Sequence, residues 1–180
     1  EVLTVTYYDD YEFTSEINHS YVANTGYDAT YFDRNLGQMT GYKVRSLNNI
    51  SSWFFTTTYY DKYNRVIQTQ TDHQKSGKDV VSNLYDFQGR LDRTLCQHSG
   101  LGIDPINTLK IFQYDHANRP IQTHYQIDNE PSFVLSNLLY NDLGQLIDKK
   151  LHSTNGSNYL QSIDYQYNIK GWLTHINDME

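Results

Sequence analysis

The chain has 180 residues, a formal net charge of −7 and a hydrophobic share of only 38%, with seventeen tyrosines against seven phenylalanines. That length suffices for one core, but so much tyrosine calls for half-wet aromatic faces, because each hydroxyl needs water or a partner; a single-layer sheet or the wall of a hollow body has such faces. Acidic charge spread without runs excludes a nucleic-acid duct, no apolar run reaches bilayer-spanning length, and Cys96, the single cysteine, excludes an intrachain disulfide and reads as a small strand residue.

Residues 1–52 read as a degenerate leading segment. Tyr7-Tyr8-Asp9-Asp10-Tyr11-Glu12 begins like the repeat found further on and then fails, since Glu12 stands where Gly or Asn is wanted. Asp9-Asp10 with Glu12 is the densest acidic group and reads as a solvated loop. Residues 18–26 are polar and without pattern. Asn35-Leu36-Gly37-Gln38-Met39 echoes Asp142-Leu143-Gly144-Gln145-Leu146 and predicts a turn. Tyr42-Lys43-Val44-Arg45-Ser46-Leu47 then predicts a strand and Asn48-Asn49-Ile50-Ser51-Ser52 a loop.

Residues 53–180 carry five copies of one motif, Tyr-[Asp/Asn]-x-x-[Gly/Asn]. They are Tyr60-Asp61 with Asn64, Tyr85-Asp86 with Gly89, Tyr114-Asp115 with Asn118, Tyr140-Asn141 with Gly144, and Tyr167-Asn168 with Gly171. The near-constant interval marks a repeat architecture. Gly and Asn tolerate a left-handed backbone, and Asp and Asn favour the first corner of a type I turn. Each copy therefore predicts a hairpin built on such a turn followed by a left-handed bulge residue. The flanks agree, from Trp53-Phe54-Phe55-Thr56-Thr57-Thr58-Tyr59 before the first turn to Leu173-Thr174-His175-Ile176 after the last. Polar return turns join the hairpins at His73-Gln74-Lys75-Ser76-Gly77, Asp128-Asn129-Glu130-Pro131 and Ser153-Thr154-Asn155-Gly156-Ser157. The longest, from His98 to Pro105, explains the widest interval. Ten antiparallel strands in an up-and-down meander are expected, with no helical period. Pro120 cannot donate a ladder bond, which weakens pairing where it stands. The outermost strands lack partners, so further repeats are expected on either side.

Asp61, Asp86 and Asp115 resemble a carboxylate array, but their turn position explains them without acid–base or calcium chemistry, and calcium needs several ligands in one loop. The histidines (His19, His73, His98, His116, His124, His152, His175) show no metal-motif spacing, although cross-strand pairing can bring His98 or His124 beside another. No P-loop, GxGxxG or GxSxG is present. The recurring tyrosines form a line along one rim, serving either to brace the turns or as a sugar-stacking platform. Bracing is favoured, because a residue required in every repeat serves the repeat. Trp53, Tyr125, Tyr159 and Trp172 do not recur and are the better ligand candidates.

The motifs resemble the YD repeats of the RHS family, whose core is Tyr-Asp-x-x-Gly-Arg-Leu; Tyr85-Asp86-Phe87-Gln88-Gly89-Arg90-Leu91 fits it throughout. Tyr167-Asn168-Ile169-Lys170-Gly171-Trp172-Leu173-Thr174 resembles a variant of large bacterial wall-associated members. The resemblance implies a strip of hairpins winding into a hollow shell. In RHS effectors and Tc-toxin shell components that shell encloses a C-terminal toxin; in teneurins it belongs to an adhesion protein. No match to the self-cleaving aspartate segment of bacterial effectors is present. The expectation is an all-β meander of YD-repeat hairpins forming a curved strip of a larger β-shell. It is non-catalytic, without cofactor or metal, and secreted or displayed on a bacterial surface. Its partners are neighbouring repeats and an enclosed C-terminal polypeptide. The alternative is a carbohydrate-binding or adhesion module of the envelope.

Overall fold

Strand-forming runs between left-handed turn residues become twelve antiparallel strands in the computed structural model, which describes residues 2–49, 51–74 and 76–177. These are β1 (Thr4–Asp9), β2 (Asn35–Arg45), β3 (Trp53–Tyr60), β4 (Val66–His73), β5 (Gly77–Tyr85), β6 (Leu91–Gly100), β7 (Ile103–Tyr114), β8 (Pro120–Ile127), β9 (Phe133–Tyr140), β10 (Leu146–Ser153), β11 (Gln161–Tyr167) and β12 (Leu173–Ile176). They lie in one open sheet in strict sequence order, an up-and-down meander. Strands β3 to β12 are the ten strands expected from the repeats. A 3-10 turn, Glu12–Glu16, is the one helical segment among the described residues.

The five repeat turns share one backbone solution. In the first, the N–H of Asn64 donates to the carbonyl of Asp61 at 3.0 Å and the N–H of Asp61 to that of Arg65 at 3.0 Å. The residue at the left-handed position has φ of 60° at Asn64, 83° at Gly89, 63° at Asn118, 80° at Gly144 and 78° at Gly171. A register shift lies immediately before each turn tyrosine, as a bulge requires. Pro120 opens β8 opposite Tyr114, a strand-first position where its missing donor costs no ladder bond.

The leading segment differs from expectation. Asn35 to Met39 is the start of β2 and not a separate turn, and β2 ends at Arg45, two residues short of Leu47. Tyr8 pairs with Met39 and Asp9 with Asn35, while Asp9 Oδ1 accepts the Gly37 N–H at 2.6 Å. Tyr8-Asp9 and Leu36-Gly37-Gln38-Met39 are therefore two halves of one repeat turn, opened by residues 10–34. Glu12 does not spoil the motif, because it lies inside this insertion. Gly37, at φ 80°, holds the left-handed position. Residues 48–52 form the expected loop in their described part. Ile50 of that loop and Lys75 of the His73–Gly77 return turn lie outside the described residues.

The chain divides into two compact units, Glu1–Asn107 and Thr108–Glu180. In the first, the insertion folds over one face of β3 to β5. Tyr11, Phe13, Tyr59 and Ile67 are buried there, with Tyr7, Ile17, Tyr21 and Tyr85 packed around them. In the second, most strand residues stay half-exposed on both faces, and among its described residues only Val134 and Ser153 are buried. That is the single-layer sheet with two half-wet faces that the tyrosine-rich composition allowed.

Candidate functional site

Each repeat turn is held by its own acidic or amide side chain. Asp61 Oδ1 accepts the N–H groups of Tyr63 at 2.8 Å and Arg65 at 2.9 Å, and Oδ2 accepts Arg65 Nε at 2.6 Å. Asp86 does the same with Gln88 and Arg90, and Asp115 with Ala117 and Arg119. Asn141 keeps the backbone bonds to Leu143 and Gln145 but turns its amide to Gln145 Oε1 at 2.8 Å; Asn168 keeps those to Lys170 and Trp172. The three aspartates face arginine, whereas Asn141 faces Gln145 and Asn168 is followed at the same place by Trp172.

Burial alone raises the pKa of Asp61, but the Arg65 and Tyr63 hydrogen bonds outweigh it and hold the carboxyl below its usual range. At Asp86 desolvation is likewise overcome, by Arg90 and the Gln88 N–H; at Asp115 the Arg119 N–H leads the lowering. Carboxylates fixed this way are ionised turn braces. A general acid or base needs a pKa near the working pH, and theirs move away from it.

The tyrosines tie one hairpin to the one before. Tyr60 Oη donates to the Met39 carbonyl at 2.8 Å, Tyr85 to Val66 at 3.0 Å, Tyr140 to Pro120 at 3.0 Å and Tyr167 to Leu146 at 2.9 Å. Val66, Pro120 and Leu146 each open the strand after the preceding turn, and Met39 holds the matching place in the opened hairpin. The preceding arginine then covers the ring: Arg65 lies 4.7 Å from the Tyr85 centroid and Arg119 4.6 Å from Tyr140. The next turn glycine passes beneath, so that a Cβ on Gly89 would sit 3.6 Å from Arg65 Nη1, and one on Gly144 3.2 Å from Arg119 Nη1. A guanidinium lies over each of these two tyrosines.

Sequence reasoning missed the buried polar face under the insertion. Gln68 and Gln70 are fully buried in β4. Gln68 accepts the Val22 N–H at 3.0 Å and donates to the Val22 carbonyl at 2.8 Å, completing a bridge-like pair with the insertion backbone. Gln70 donates to the Ser20 carbonyl at 2.7 Å. His19 sets Nδ1 against Thr57 Oγ1 and Nε2 against Asp72 Oδ1, each at 2.9 Å, and Tyr59 Oη donates to its carbonyl. Tyr11 stacks on Tyr59 at 4.7 Å. Desolvation raises both phenols, Tyr59 to about 12. The weak signal was glutamines at alternate positions in a strand otherwise rich in β-branched residues.

The four ligand candidates lie on different elements. Trp53 lies on β3, Tyr125 on β8, Tyr159 just before β11 and Trp172 in the fifth turn. Trp53 borders an open cavity of about 700 Å³ with Asn18, Asn48, Asn49, Asp72 and Lys78. Its ring is flanked by Lys43 at 4.9 Å and Arg45 at 4.7 Å. The cavity's charges are engaged: Asp72 with His19 and the Phe55 N–H, Lys78 with the Asn18 carbonyl and Gln70. Tyr125 meets Phe133 edge-on, Tyr159 bonds Asn137, and Trp172 is 65% exposed. His98 stands beside another histidine, His73.

No helix among the described residues is long and apolar enough to cross a membrane. No protein-family model matches the chain, and no curated protein matches it.

Proposed function

We propose that the chain is a non-catalytic structural section of an RHS-type β-shell in a secreted or surface-displayed bacterial protein, enclosing a polypeptide passenger. The observation that carries this reading is where the repeated side chains go. Tyr85 and Tyr140 bond the previous hairpin, Asp61 and Asp115 brace their own turn, and Arg65 and Arg119 lie over the next tyrosine. A motif whose polar groups are committed to its neighbours propagates a wall. The half-exposed strands of Thr108–Glu180 add a mixed lining suited to varied polypeptide surfaces.

Limited proteolysis of the native full-length protein tests it. Polypeptide C-terminal to the repeats should resist cleavage while the sheet is intact and be digested once urea opens it. Free cleavage from the outset refutes the enclosure. A second reading, carbohydrate binding, is favoured by Trp53 and the asparagines around the cavity. A glycan screen in which Trp53→Ala abolishes a wild-type hit supports that reading instead.

A further inference from the structure

We infer that His73, Asp79 and His98 form a binding site for a borderline divalent metal, with Zn(II) the natural occupant. The inference does not depend on the shell reading. The three residues come from the ends of β4, β5 and β6. Antiparallel register sets Asp79 directly opposite His98 on one side and Thr71 on the other. Strand alternation places His73 on the same face as Thr71, and hence beside Asp79. One donor atom from each residue lies within 4.8 Å of the other two.

The surroundings favour a ligating arrangement. His73 Nε2 faces the Ser99 carbonyl at 2.7 Å. A carbonyl only accepts, so Nε2 carries the proton and Nδ1 keeps its lone pair, the second-shell pattern that orients metal-bound histidines. Asp79 Oδ1 accepts a hydrogen bond from His98 Nδ1 at 2.5 Å, and the two imidazoles stack at 5.0 Å and 12°; an incoming ion takes the place of that shared proton, which leaves to solvent as the pair opens. Gly77 makes room, since a Cβ there would run into the His73 ring and the Ser99 carbonyl; Gly100 borders the same ring. All three ligands are half-exposed, so an ion reaches them directly and water fills the remaining positions.

Two imidazoles with one carboxylate suit zinc and its d-block neighbours, whereas calcium and magnesium take all-oxygen sets. Bonds of about 2.0–2.2 Å to a common ion bring donors to roughly 3.3 Å from one another. Closing from 4.8 Å needs one half-exposed imidazole to swing out of the stack, so that the two lone pairs converge. The β4–β6 ladders themselves need not move.

The test uses the untagged chain, stripped with chelator, titrated with ZnCl₂ by calorimetry and with Co(II) by visible absorption. One equivalent should bind with micromolar affinity. His73→Gln, His98→Gln and Asp79→Asn should each weaken it about ten-fold or more. His124→Gln and His175→Gln should leave it unchanged. Histidine carbethoxylation mapped by mass spectrometry gives a readout on the wild type, should a variant fail to fold: Zn(II) should protect His73 and His98 and leave His124 reactive. Absence of binding, binding that survives His73→Gln and His98→Gln, or protection spread over all histidines overturns the inference.

Discussion

Gln68→Ala is the sharpest test of how the insertion is held. Four hydrogen bonds end on this side chain: with the Val22 N–H, the Val22 carbonyl, Ser82 Oγ and Gln70 Nε2. It is fully buried, so water does not replace them while the insertion stays docked. At about 0.5–1.5 kcal/mol net per bond the direct loss is about 2–6 kcal/mol. Local opening limits it, because a detached insertion lets water satisfy Val22. We expect a cost of about 3 kcal/mol in urea unfolding, with faster hydrogen exchange at Val22. Gln68→Glu keeps the acceptor but sets a carboxylate against the Val22 carbonyl, and should cost at least as much at neutral pH. Gln88→Ala, in an exposed turn position, should stay within about 0.5 kcal/mol of wild type. If Gln68→Ala matches that control and Val22 exchange is unchanged, the insertion is not held by buried polar pairing.

Three further outcomes follow from the repeat turns. Tyr85→Phe removes the bond to Val66 while keeping the ring under Arg65, and should cost about 1 kcal/mol in the same assay. Gly89→Ala forces a left-handed residue at φ 83° whose Cβ would make only an ordinary contact with Arg65 Nη1 at 3.6 Å, so backbone strain of about 1–2 kcal/mol is expected from the unfolding midpoint. Asp61, Asp86 and Asp115 have depressed folded pKa values, so their stabilisation is full above the ordinary aspartate range near 4 and is lost as pH falls through the lower folded values. Asp61→Asn, already the natural choice at Asn141 and Asn168, should therefore flatten part of the acid limb of a stability–pH curve; an unaltered limb would show that Asp61 does not contribute to it.

The turns were legible because each is closed within itself. Asp61 meets Tyr63 and Arg65 two and four residues on, and Asn64 supplies the left-handed corner. Local chemistry of this kind is written in residue types, and the strand count of 53–180 follows from it. The opened hairpin was not legible, because Tyr8-Asp9 and Gly37-Gln38 are halves of one turn separated by residues 10–34. The Asp9 bond to the Gly37 N–H and the pairing of Tyr8 with Met39 and Asp9 with Asn35 join them. The buried face was hidden for a related reason: glutamine in a strand reads as solvent-facing, and Gln68 becomes a core residue only when Val22 arrives from 46 positions away.

By itself, then, the sequence determined the hairpins and their order, since turn dihedrals and strand alternation depend on neighbours in the chain. Tertiary structure alone decided which face of β3 to β5 is covered, that Tyr59, Gln68 and His19 share one buried layer, and that His73, Asp79 and His98 meet. Those outcomes depend on ladder register and on the path of a long insertion, quantities that a single residue shift in any return turn would change.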